Sequence, residues 1–255
     1  MKILFAGIIA RYPFGGVTWC TLMYLLGLRA LGHEVFYVED TGECVYDPVQ
    51  NVRSTDPSYG TSYIHAALEP FGLGDRWAFV NYDGTYHGRG AEAVRSFCAD
   101  ADLFLNLSGG SWFWRDEYAR IPRKAFIDSD PAFTQLAIAK REPWYVEFFQ
   151  RFDRLFTFGA NIGTAASPVP TGEFTWLKTW QPVTLDDWAT SLARGGSLGG
   201  GARGRAGRAR GAAGAGRGGD GRDRRRRARR PLRLGGAGPL QGDARLAAVE
   251  PGLGA

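Results

Sequence analysis

The chain has 255 residues and a formal net charge of +5, and its composition divides it into two chemically different parts. Residues 191–255 contain 15 Arg, 19 Gly and 13 Ala, whereas all 34 aromatic residues lie in residues 1–190. Counted separately, the first part has a net charge of −6 and the second has +11. A negative first part repels polyanions, so net charge argues against nucleic-acid or anionic-membrane binding there.

The first 40 residues predict a strand, a loop, a helix and a second strand. Lys2–Ala6 is a short apolar run bounded by Gly7, which is typical of a strand buried on both faces. A loop follows, residues 17–31 have the apolar spacing of a helix packed on a sheet, and residues 34–38 form the next strand. A segment of this length and order is a βαβ unit.

The same alternation continues along the rest of the first part. Further helices are predicted at 62–71, 91–99, 132–140 and 144–152, and further strands at 77–80, 103–107, 124–127 and 154–158. Strands that alternate with helices predict an α/β fold with a mainly parallel sheet.

The predicted topology selects one edge of the sheet as the place for a ligand, because open α/β sheets bind ligands outside the carboxyl ends of their strands. Glycines in such loops are also expected for steric reasons alone, so each loop has a structural alternative. The candidate site residues at this edge are Arg11, Gly15, Gly16, Ser108, Gly109, Gly110, Trp112, Asp128 and Asp130.

Gly15 and Gly16 stand directly before the first predicted helix, where free backbone N–H groups and the helix dipole suit a phosphate. Glu39 and Asp40 end the second strand, as an acidic residue does in dinucleotide sites. The loop from Gly7 to Gly15, between the first strand and this helix, is long and lacks the G-x-G-x-x-G pattern of dinucleotide-binding proteins. The sequence therefore argues against a nicotinamide or flavin enzyme.

Asp128 and Asp130 form a spaced carboxylate pair after a predicted strand, and either is a candidate general base for a substrate hydroxyl. The alternative is that Asp130 caps a helix beginning at Pro131 while Asp128 caps the turn. No third acidic or His ligand is suitably spaced, so no metal site is predicted. Trp112 is a candidate platform for a sugar or another flat acceptor, although most of the aromatic residues are expected to be core.

The remaining sequence signals indicate a soluble protein. The three cysteines have no spacing that suggests a disulfide framework or a zinc site. The start of the chain lacks the long apolar core of a signal peptide, and no apolar run approaches the length of a membrane span. We therefore expect a cytoplasmic location.

Residues 1–190 resemble the N-terminal, acceptor-side domain of a GT-B glycosyltransferase. The resemblance lies in the motifs MKILF at 1–5, GGV at 15–17, LRALGHEV at 28–35 and DSDP at 128–131. It implies a Rossmann-like sheet with helices on both faces, and an activity that transfers a sugar from a nucleotide sugar to a small-molecule or glycan acceptor. It implies no resident cofactor, since the nucleotide sugar is a co-substrate, and Asp128 or Asp130 would be the acceptor-side base.

The second GT-B domain is expected after about residue 190, but residues 191–255 lack aromatic residues and the periodicity of a packed core. We interpret this segment as a disordered, frame-shifted tail, and therefore expect the chain to be inactive for lack of the donor domain. The alternative is a non-catalytic acceptor-binding or ligand-binding α/β domain with a genuine Arg-rich tail that binds RNA.

Overall fold

A computed structural model describes residues 1–140 and 143–187 of the protein. The predicted tail, 191–255, lies outside the described residues. Its frame-shift origin and its disorder therefore stay predictions.

The described residues form ten strands and six α-helices. The strands are β1 Lys2–Ala6, β2 Glu34–Glu39, β3 Val45–Asp47, β4 Val52–Ser54, β5 Trp77–Val80, β6 Tyr86–Gly88, β7 Leu103–Leu107, β8 Arg123–Asp128, β9 Arg154–Thr157 and β10 Trp176–Lys178. The helices are α1 Gly15–Ala30, α2 Ser58–Leu68, α3 Ala91–Ala99, α4 Asp116–Ala119, α5 Phe133–Ala139 and α6 Pro143–Gln150, and a 3-10 turn, Glu69–Phe71, follows α2.

Eight strands form one sheet in the order β10-β9-β8-β7-β1-β2-β5-β6, and β3 and β4 form a separate antiparallel pair. Every neighbouring pair in the large sheet is parallel except β5 and β6. The strand order reverses direction between β1 and β7, as in doubly wound Rossmann-like sheets. The predicted Rossmann-like, mainly parallel sheet is confirmed.

Helices pack on both faces of this sheet, because successive side chains of a strand point to opposite sides. Ile3 and Phe5 of β1 join the apolar core under α1 and α2, whereas Leu4 and Ala6 join the core under α3, α4, α5 and α6. Together the two cores bury residues 3–6 of β1 completely. The central position predicted for the first strand is therefore confirmed.

The elements that the sequence did not predict are short or lie at edges. They are the β3–β4 hairpin, the edge strand β6, the single-turn helix α4, and β10, which extends the sheet beyond the predicted last strand at 154–158. Each has three or four residues, too few for an apolar period to appear.

Among the described helices, none has the length and apolar character required to span a bilayer.

Candidate functional site

The loop after β7 closes over the carboxyl end of β1. Asp40 N–H donates to the Gly110 carbonyl at 2.8 Å, and Trp112 N–H donates to the Asp40 carbonyl at 3.2 Å. A Cβ on Gly110 would overlap the backbone of Gly7, so the β7 loop and the end of β1 are in direct backbone contact. The loop thus occupies the point where the strand order reverses, which is where such sheets commonly hold a ligand. Gly110 is required there for close packing.

A buried ion pair fixes this loop. The Asp40 side chain is 1% exposed and accepts hydrogen bonds from Arg115 Nε at 2.5 Å and Arg115 Nη2 at 3.0 Å. Tyr118 OH donates to the same carboxylate at 3.2 Å. Burial and the neighbouring Asp40 charge raise the pKa of Tyr118 well above its ordinary value, so it stays a donor.

Glu39, the last residue of β2, holds the loop between β1 and α1. Its buried carboxylate accepts hydrogen bonds from Ala10 N–H at 2.8 Å, Arg11 N–H at 2.6 Å and Tyr37 OH at 2.8 Å. Burial, opposed by these donors, raises the pKa of Glu39 to about 7. Glu39 and Asp40 are therefore both engaged inside the protein, which agrees with the argument against a dinucleotide site.

Arg11, Gly15 and Gly16 lie on the β2 side of this edge. The Arg11 guanidinium pairs with Glu43 and lies 5.0 Å from the centre of the Tyr12 ring. Gly15 and Gly16 are exposed in the first turn of α1, and a Cβ on either would meet nothing. Their predicted role in phosphate binding stays a prediction, at a place separate from the cavity described next.

A cavity of about 590 Å³ opens at the carboxyl ends of β7 and β8, beside α5 and α6. Four of the predicted site residues line it, and the structure thereby brings together two loops that are about 20 residues apart. The lining residues are Ser108, Trp112, Phe126, Asp128, Asp130, Phe133, Thr134, Leu136, Ala137, Lys140 and Tyr145.

Asp128 is buried and its carboxylate is fully engaged. It accepts hydrogen bonds from Gln135 Nε2 at 2.7 Å, Thr157 Oγ1 at 3.0 Å and Thr134 Oγ1 at 3.3 Å. Burial raises the pKa of Asp128, and the hydrogen bonds from these donors oppose the increase. Asp128 therefore ties the first turn of α5 and the loop before it to the end of β8.

Asp130 lines the same cavity but, unlike Asp128, is exposed to solvent. Its side chain is exposed, and its carboxylate accepts no hydrogen bond from the residues that the structure describes. It does not cap a helix, because α5 begins at Phe133 and Ala132 is its N-cap. The alternative interpretation of Asp130 as a cap at Pro131 is wrong, since the backbone turns once more before the helix starts.

Two residues beside the cavity have a strained backbone. Ser108 has φ of 53° and Ala132 has φ of 85°, in the region that side chains with a Cβ rarely adopt. The Ser108 hydroxyl contacts the hydroxyl of Ser129, so the β7 and β8 loops are joined at this point. Backbone strain of this kind concentrates at functional sites, where surrounding contacts hold it.

Aromatic side chains form the wall on the α6 side. The Trp112 ring centre lies 5.0 Å from that of Phe148 and 5.9 Å from those of Trp144 and Tyr145. A Cβ on Gly109 would overlap the Trp112 ring, so Gly109 makes room for the indole. The sequence indicated Trp112 as a candidate but gave no reason to single out Tyr145, because aromatic residues in a helix have the same pattern whether they face a core or a cavity.

No family model matches the chain, and no curated protein matches its sequence. Two solved structures resemble it: an alpha-glucosyltransferase in complex with UDP and a 13-mer DNA containing a central A:G mismatch, and an alpha-glucosyltransferase in complex with UDP. The first is 14% identical over 74% of this chain with a TM-score of 0.38, and the second is 13% identical over 71% with a TM-score of 0.36. The chain spans 43% and 44% of the length of these structures. Similarity at this level carries no conclusion about activity.

Proposed function

We propose that the described domain binds the acceptor of a glycosyltransferase in the cavity at the ends of β7 and β8. The support is the sequence resemblance to acceptor-side GT-B domains, together with the position of the cavity. A ligand there contacts loops that rigid strands hold in place, which is the arrangement that positioning of a substrate requires.

The observation that carries this proposal is the difference between Asp128 and Asp130. A general base must have an unengaged lone pair within reach of the proton it takes. The Asp128 carboxylate accepts hydrogen bonds from three protein side chains, whereas the Asp130 carboxylate lines the cavity and accepts none from the described residues. We assign the acceptor-side base to Asp130, and assign to Asp128 the positioning of the loop that carries it.

In the proposed reaction the acceptor hydroxyl oxygen attacks the anomeric carbon of a nucleotide sugar. The bond between that carbon and the phosphate oxygen breaks, and the hydroxyl proton passes to the Asp130 carboxylate. The donor must be held in line with the acceptor for this to occur, which a second domain would do. We expect the 255-residue chain to bind an acceptor and to turn over no nucleotide sugar by itself.

The experiment is calorimetry on the 255-residue chain with a library of hydroxyl compounds, in the presence and absence of nucleotide sugars. For any compound that binds, Asp130→Asn should weaken binding about tenfold, because a hydrogen bond to a charged acceptor is stronger than one to a neutral amide. Asp75→Asn is the control, since Asp75 is exposed at the opposite edge of the sheet. It should leave binding unchanged.

Two results would contradict the proposal. One is the absence of binding by every hydroxyl compound, and the other is binding that Asp130→Asn leaves unchanged. Sugar transfer by the 255-residue chain would leave the assignment of the acceptor cavity in place but overturn the expectation that a second domain is required.

A further inference from the structure

One wall of the cavity is a single face of α5. Phe133, Leu136, Ala137 and Lys140 recur at spacings of three and four, which places them on the same side of the helix. All four line the cavity. The wall therefore runs along the helix axis, from the loop before α5 to the residue that follows it.

Opposite charges stand at the two ends of this wall. Asp130 precedes α5 and Lys140 follows it, and the seven residues of the helix span about 10 Å. Within the described residues, neither side chain makes an ion pair. Among the described residues, therefore, no counter-charge is paired with either end of the wall.

The stretch between the charges is apolar. Phe133 is 73% exposed and Leu136 is 49% exposed, which is unusual for large apolar side chains on a short helix. Trp112 and Tyr145 contribute aromatic rings to the lining of the same cavity. A ring placed between these side chains would bury apolar surface on several sides, which is the main source of affinity in small-molecule pockets.

The polar side chains along this stretch are already engaged. The Thr134 hydroxyl donates to Asp128, and the Ser108 hydroxyl is in contact with that of Ser129. A sugar chain has hydroxyl groups along its whole length, and burying them without partners would cost free energy. The middle of the cavity therefore suits a hydrocarbon or aryl body better than an oligosaccharide.

Resting on the proposed function, we propose that the acceptor is an elongated aryl alcohol with a negative charge at the end opposite to its reacting hydroxyl. The hydroxyl contacts Asp130, the ring lies against Phe133 and Trp112, and the anionic group pairs with Lys140. This proposal concerns the acceptor class, which the resemblance to glycosyltransferases leaves open.

The test compares three probes by calorimetry on the 255-residue chain: 3-(4-hydroxyphenyl)propionate, its neutral primary amide and maltotriose. The first two differ only in the charge at the far end, and the third has hydroxyl groups throughout. The propionate should bind about tenfold more tightly than the amide, which corresponds to one charge-assisted contact. Maltotriose should bind more weakly than either.

Three variants separate the contributions. Lys140→Met should remove the preference for the propionate and leave amide binding unchanged, because it deletes a charge at an exposed position. Phe133→Ser should weaken binding of both aryl probes. Because the Phe133 side chain is exposed, its replacement should not unfold the protein, so weaker binding would reflect the lost contact with the probe. Lys2→Met is the matched control, since Lys2 pairs with Asp100 at the opposite edge of the sheet and should affect neither probe.

The possible failures point to different conclusions. Equal binding of the propionate and the amide, or a preference for the propionate that persists in Lys140→Met, overturns the inference of a negatively charged end. The proposal that the cavity binds an acceptor is not affected by either result. If maltotriose binds tightly and neither aryl probe binds, the inference is overturned and a glycan acceptor is supported. Absence of binding by all three probes overturns the inference, and the library experiment above then decides the proposed function separately.

Discussion

The Asp40 carboxylate and the Arg115 guanidinium form a two-point ion pair between residues 75 positions apart, with N···O distances of 2.5 Å and 3.0 Å. The pair joins the end of β2 to the segment after β7 across the end of β1, which lies between them. Ring centres of Phe113 and Tyr86 lie 5.5 Å and 6.0 Å from the guanidinium. This contact keeps the β7 loop, and with it Trp112, in a fixed position beside the cavity.

Arg115→Met should lower the free energy of unfolding by about 3 kcal/mol, because it leaves the buried Asp40 carboxylate without its counter-charge. Urea unfolding followed by circular dichroism measures this. Arg120→Met is the control: Arg120 and Asp116 form an exposed pair at 4.0 Å, and its loss should cost less than about 0.5 kcal/mol. Similar losses in both variants would show that the burial of Asp40 does not matter.

Glu39 should make the protein less stable as pH rises from about 4.5 to about 7. Burial raises its pKa from the ordinary 4.5 to about 7 in the folded state, so the folded protein holds a proton that the unfolded chain has released. The free energy of unfolding then falls across this window, by up to about 3 kcal/mol. Above the window, the contribution of Glu39 no longer changes with pH.

The comparison that isolates this effect is Glu39→Gln, because all other titrating groups are the same in both proteins. The difference in unfolding free energy between the two proteins should change from about pH 4.5 to about pH 7 and become constant above that range. A constant difference at every pH would mean that Glu39 does not titrate in this range.

Gly110→Ala should destabilise the protein by about 3 kcal/mol or more. A Cβ there overlaps the backbone of Gly7 and Ala6, and backbone in the centre of a sheet cannot move aside as a flexible side chain can. Gly15→Ala is the matched control, since a Cβ at Gly15 meets nothing and alanine favours the helix. We expect Gly15→Ala to be neutral or to stabilise by about 0.5 kcal/mol. Equal effects on the urea midpoint would be incompatible with the close approach at Gly110.

The two carboxylates at the cavity should differ in what their loss does to stability. Asp128→Ala leaves the buried donors of Gln135 and Thr157 unpaired and should cost about 3 kcal/mol. Asp130→Ala removes an exposed side chain and should change the unfolding free energy by less than about 0.5 kcal/mol. Thermal and urea unfolding of the two variants side by side tests this. A large loss in Asp130→Ala would mean that Asp130 also has a structural role.

The amino-acid sequence was sufficient for the central part of the fold. Runs such as those at β1, β7 and β8 are apolar on both sides of the strand, so they had to be buried between two layers of helices, and the βαβ spacing required parallel pairing. Because the carboxyl ends of parallel strands lie at one edge of a sheet, the sequence also predicted that Ser108, Trp112, Asp128 and Asp130 lie at the same edge. Four of the nine predicted site residues then share a cavity.

The different roles of Asp128 and Asp130 depended on the tertiary structure. Two aspartates separated by one residue look equivalent in sequence, but Asp128 meets Thr157 from β9 and Gln135 from α5, whereas Asp130 meets solvent. Arg11 likewise does not line the cavity, and its guanidinium pairs with Glu43 instead. Local patterns determine which residues are buried and in which element they lie, but contacts between loops depend on the order of the strands in the sheet. That order is set by the packing of the whole domain.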